Sequence, residues 1–74
     1  MKVTVDRSVK FGDEIIMEDR FFGGQLIATL RREEGVWEAS LNSFFCDRHD
    51  LAEETFRGER EAVVDAVARA VAEL

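Results

Sequence analysis

The chain has no proline, one cysteine and one histidine, and no apolar run exceeds three residues. A lone cysteine closes no internal disulfide, so stability needs no oxidising compartment and the cytoplasm is the expected location. The apolar runs fall far short of the roughly 20 residues a membrane span requires. The amino terminus, Met-Lys-Val-Thr-Val-Asp, lacks the apolar core of a signal peptide. A structural zinc site takes four ligands dominated by Cys and His, and Cys46 with His49 supplies one of each, so no metal or other cofactor is expected.

What is present is charge and apolar patterning. The 74 residues carry a formal charge of −6 with 46% hydrophobic content, the composition of one small globular domain over residues 1–74. Such a domain buries only about 60% of its unfolded surface, so tight packing or self-association must support the core, and a homodimer is one expectation. The charge is lopsided. Residues 1–32 hold six basic and five acidic side chains, whereas residues 33–74 hold four basic and eleven acidic ones. That balance repels nucleic acid, and the pair Arg31 and Arg32 is too small a patch to reverse it.

Alternation of Val3, Val5, Val9 and Phe11 with polar residues predicts a strand over residues 2–11, with Arg7 the one exception to the pattern. Gly12 and Asp13 supply a turn into a returning strand over residues 14–22, which Gly23 and Gly24 break. A third strand over residues 25–32 sets Leu26, Ala28 and Leu30 against Ile27 and Thr29. The turn Glu33-Glu34-Gly35 leads to a fourth over residues 36–41, where Trp37, Ala39 and Leu41 share a face. Phe44 and Phe45 either end that strand or begin a fifth; Asp47 to Asp50 read as a loop, and residues 51–56 as a short acidic edge strand. Residues 59–74 read as a helix burying Val63, Val67, Ala70, Val71 and Leu74, with Glu61, Asp65, Arg69 and Glu73 outward. The predicted fold is α+β: an antiparallel meander of four to five strands packed on one C-terminal helix.

Catalytic signals are thin. Cys46 and His49 form a thiol and base pair only with an orienting third group, an oxyanion hole and a pocket, for which this length leaves little volume. The many carboxylate pairs follow from acidic density, and Gly23-Gly24 is not a phosphate loop. The expectation is a protein that is not an enzyme.

Recognition is the alternative to catalysis. Neighbours on a strand point to opposite faces, so Phe21 with Phe22, Ile15 with Ile16, Leu26 with Ile27, and Phe44 with Phe45 cannot all be covered by one helix. One member of each pair is a candidate for an apolar protein-contact patch or a dimer face. Acidic residues beside such a patch would steer a basic partner. The candidate partner-binding residues are Phe21 and Phe22 as anchors, with Glu33, Glu34, Glu38, Asp47, Asp50, Glu53 and Glu54 as the electrostatic surface.

Two resemblances follow from this layout. Ile27-Ala28-Thr29-Leu30-Arg31-Arg32-Glu33-Glu34-Gly35-Val36-Trp37-Glu38-Ala39-Ser40-Leu41, with the later Arg57-Gly58-Glu59-Arg60-Glu61-Ala62-Val63 and a helix, resembles the strand, acidic turn, strand and helix order of HicB-type antitoxins. It departs from them by its additional amino-terminal hairpin and by lacking their proline- and cysteine-containing connection. The size, acidity and strand-rich plan with one helix also resemble small phage-encoded anti-CRISPR proteins. Both resemblances imply an inhibitor that blocks a basic surface of a nucleic-acid-handling protein; the leading expectation is the anti-CRISPR type, with a HicB-like antitoxin module or a homodimeric assembly module as alternatives.

Overall fold

The tightest element of the fold is the turn at Glu34 and Gly35, both with positive φ (52° and 80°) in a two-residue connection between paired Glu33 and Val36. Two left-handed residues in succession give a hairpin turn whose twist matches that of the strands, and glycine at the second position carries no Cβ penalty. In a computed structural model, which describes residues 1–7, 14–18 and 24–74, this turn joins two strands of a five-stranded sheet. The strands are β1 (Val3–Arg7), β2 (Glu14–Glu18), β3 (Leu26–Glu33), β4 (Val36–Leu41) and β5 (Thr55–Gly58). Each pairs antiparallel with the next, so the sheet is a meander in chain order, and with α2 (Arg60–Val71) it forms the expected α+β fold. The stretches predicted around Val9, Phe11, Gly12, Asp13 and residues 19–23 lie outside the described residues.

Register assigns the faces. Val5, Ile16, Ala28 and Leu41 lie side by side across four strands, as do Leu30, Ala39 and Phe56. This face packs beneath α2, which contacts β4 and β5 through Val63, Val67 and Val71 at a four-residue spacing. The helix is shorter than predicted and leaves Ala70 and Leu74 exposed, because Val71 completes the stripe over the sheet. On its outer side Arg69 pairs with Asp65 at 3.0 Å.

A bulge changes the expected faces of β3. Ile16 pairs with Ala28 but Met17 pairs with Leu26, which leaves Ile27 as an extra residue. The extra residue lets Ile27 and Ala28, neighbours in sequence, both be fully buried in the core, while Leu26 joins Met17 on the opposite face. Strict alternation had set Ile27 against Ala28.

The largest correction concerns residues 42–51. Phe44 and Phe45 belong to no strand, and Asp47 to His49 are not a loop: Ser43–His49 form a helix, α1. Asn42 starts it, its side-chain oxygen accepting from the Phe45 backbone N–H at 3.1 Å. Asp50, left-handed at φ 55°, ends it, and the Cys46 carbonyl accepts from Leu51 N–H at 2.9 Å. Seven residues are too few for helical periodicity to stand out against an aromatic pair typical of strands. The fifth strand accordingly lies later than predicted, at Thr55–Gly58, and Glu53 and Glu54 precede it in an exposed connection. Among the described residues no helix is long and apolar enough to cross a membrane.

Candidate functional site

The acidic candidates separate into two groups. Glu33, Glu34 and Glu38 gather at the turn end of the β3–β4 hairpin, around a depression of about 310 Å³ that Val36 and Arg57 complete. Glu38 faces away from α2 and holds the Arg57 guanidinium at 2.8 Å, a cross-strand pair fixed by the register of β4 on β5. This ion pair neutralises part of the group. Asp47, Asp50, Glu53 and Glu54 lie at the other end of β4, on α1 and the connection to β5. At about 3.3 Å per residue the six residues of β4 put Glu33 and Glu34 roughly 20 Å from the second group, whereas Glu38, the third residue of β4, stands only about 10 Å along the strand from Leu41, whose N–H donates to the Glu54 carbonyl. Phe21 and Phe22 lie outside the described residues.

At the α1 end a feature that alternation alone could not place stands out. Phe45 and Cys46 are buried, with 0% and 1% of their surface exposed, whereas Phe44 is 80% exposed. Successive helical residues are about 100° apart, so with Phe45 and Cys46 turned into the core Phe44 must stand outside it. Asp47 and Arg48, three and four residues on, share its side of the helix. Phe44 was legible as one of an adjacent aromatic pair; that it is the exposed one follows from the helix.

The chemistry of Cys46 also reports on these carboxylates. Burial pushes its thiol pKa up, and the negative charges of Glu53, Asp47 and Glu54 push it further in the same direction. A raised pKa opposes thiolate formation and makes Cys46 a poor nucleophile. Its sulfur donates weakly to the Ala52 carbonyl at 3.8 Å. The His49 ring lies against Phe45 with centroids 4.6 Å apart, and its Nε2 is buried without a hydrogen-bond partner. Among the described residues no hydrogen bond joins the thiol to the imidazole, and no three His, Cys, Asp or Glu side chains converge as metal ligands.

The sheet face opposite α2 carries Ile15, Met17 and Leu26, all half-buried, on β2 and β3. This is the second apolar surface that the doublets of the sequence imply.

In comparisons with protein families, curated proteins and solved structures, none matches this chain.

Proposed function

We propose that the protein is a non-enzymatic, acidic, cytoplasmic protein-binding inhibitor, of the anti-CRISPR type, that occupies a basic surface of a nucleic-acid-handling partner through the α1 end of the molecule. The observation that carries this reading is Phe44, a large aromatic 80% exposed on a helix flanked by Asp47, Asp50, Glu53 and Glu54. Exposed aromatics that fill a partner's pocket dominate binding energy, and a charged rim sets orientation and encounter rate. Four carboxylates against Arg48 leave this surface negative, complementary to the Lys and Arg residues with which proteins grip phosphate.

The reading is tested by capturing the protein's host partner on the immobilised chain, identifying it, and measuring whether the chain displaces nucleic acid from it. The expected partner is basic and loses its nucleic acid. Phe44→Ala should weaken binding by about 2 kcal/mol, roughly 30-fold, and charge reversal of Glu53 and Glu54 should slow association at low salt. A partner that keeps its nucleic acid, with affinity indifferent to Phe44 and to salt, refutes the proposal.

A HicB-like antitoxin would engage a basic ribonuclease through the same chemistry, and the identity of the captured partner separates the two. The half-buried strip of Ile15, Met17 and Leu26 favours a second reading, a homodimer closed over the sheet face opposite α2. Sedimentation decides it: a Met17→Asp variant should be monomeric where the parent chain is dimeric, and a parent chain that is monomeric at high concentration ends that reading.

A further inference from the structure

Arg7 is the one residue that breaks the alternation of the first strand, and the structure gives that exception a place. At the turn end of the sheet, Arg7, Glu14, Leu30, Arg32 and Trp37, which share the face beneath α2, line a cleft of about 400 Å³ together with Arg31 and the carboxylate Glu33, which alternate to the other side of β3. That volume lies within the range of small-molecule sites, about 300–1,000 Å³. Arg7 lies opposite Glu14, and Arg32 lies opposite Trp37. The Glu14 carboxylate is engaged by Arg60, whose guanidinium also stands 5.5 Å over the Trp37 ring. Glu14 is thus held by a cation outside the cleft lining, and among the described residues no carboxylate pairs with the guanidinium group of Arg7 or Arg32, the Asp6 side chain accepting only from the Arg7 backbone N–H.

These two guanidinium groups come from β1 and β3, with β2 between them. At about 4.8 Å per strand and two residues of offset, their Cα atoms are roughly 12 Å apart on one face, within the combined reach of two extended arginines. A carboxylate is satisfied by one guanidinium fork, whereas a phosphate offers three oxygens and can accept from both. Trp37 beside Arg32 adds an aromatic surface for a planar ring. A chain of charge −6 repels a polyanion, so the cleft suits a short ligand and not a nucleic-acid strand.

We infer that the cleft among Arg7, Arg32 and Trp37 is a binding site for a mononucleotide-sized ligand, with its phosphate between the two arginines and its base against Trp37. The site lies at the opposite end of β4 from Phe44, so it stands or falls apart from the proposed inhibitor surface.

Trp37 is the only tryptophan of the chain, and its fluorescence reports occupancy directly. The full chain is titrated with AMP, UMP, adenosine and inorganic phosphate. Saturable quenching by at least one mononucleotide is expected, at least tenfold tighter than adenosine or phosphate alone. Arg7→Gln and Arg32→Gln should each weaken it tenfold or more, and Arg48→Gln on α1 should leave it unchanged. No saturable response to AMP or UMP overturns the inference, as does phosphate binding as tightly as the nucleotide, or equal affinity in the Arg7, Arg32 and Arg48 variants.

Discussion

Truncating the two adjacent phenylalanines should have opposite consequences, and the contrast tests the placement of α1. Phe45 has no exposed surface, lies in the same buried cluster as Ile27 and Leu41, and sets its ring against that of His49 with centroids 4.6 Å apart and planes tilted by 48°. Removing such a side chain costs the transfer of its ring from water plus the cavity left behind, about 3–5 kcal/mol for Phe→Ala. A chain of 74 residues has a total stability of only roughly 4–11 kcal/mol. Phe45→Ala therefore removes about a quarter of the stability at the least and all of it at the worst. Phe44, at 80% exposure, has little burial to lose, and Phe44→Ala should fall within about 0.5 kcal/mol of the parent. The assay is urea unfolding followed by far-UV circular dichroism. With a slope near 1 kcal/mol/M for so small a domain, the Phe45→Ala midpoint should drop by about 3 M or more at unchanged slope, while Phe44→Ala stays within about 0.5 M. If Phe45→Ala does not fold, Phe45→Leu provides a milder step of about 1–1.5 kcal/mol. Equal losses at the two positions, or a larger one at Phe44, would refute the orientation of α1 and with it the exposed anchor.

Three further outcomes follow from local geometry. Asn42→Ala removes the cap on the Phe45 N–H and should cost about 1 kcal/mol in urea unfolding, whereas Asn42→Asp should retain most of it; an unchanged midpoint for Asn42→Ala would show that α1 does not depend on this cap. Glu34→Asn should raise stability by about 0.5–1 kcal/mol, because asparagine tolerates the left-handed conformation (φ 52°) better than glutamate and Asn-Gly is a favoured pair for this turn; a loss would contradict the turn type. Cys46 holds its proton more tightly folded than unfolded, so its contribution is full below the unfolded thiol pKa and is lost as pH rises through the folded value. Cys46→Ala should accordingly show a shallower alkaline decline in stability than the parent, measured above about pH 8.5; parallel declines would reject the raised pKa.

Much of the fold was legible where a period runs long enough to be read. β4 coincides with its predicted span, and Val63, Val67 and Val71 follow a helical stripe through α2. The errors sit where one residue or one hydrogen bond outweighs a pattern. The bulge at Ile27 inverts the alternation of β3, and its cause is the pairing of that strand with β2, which no local window contains. The Asn42 cap turns an aromatic doublet into a seven-residue helix, too short to have a period of its own. Among candidate site residues, the acidic side chains were identifiable by type, but their division between the two ends of β4 depends on the meander. The Arg7 exception was visible as a broken rule, and its meaning depends on Arg32 and Trp37 arriving on the same face.

The sequence by itself determined the chemical character of the chain: a charge of −6 with its negative excess in the second half, apolar doublets that one helix cannot cover, and a lone thiol unable to form an internal disulfide. These are properties of residue type and of short periods, which survive without knowledge of the partner strands. Only the tertiary structure decided which aromatic stands outward, which carboxylates are neighbours, and which arginines share a cleft with Trp37. Those are long-range facts, set by strand register and by the close packing of the sheet beneath α2, where the burial of Phe45 and Ile27 left Phe44 and Leu26 to the opposite sides.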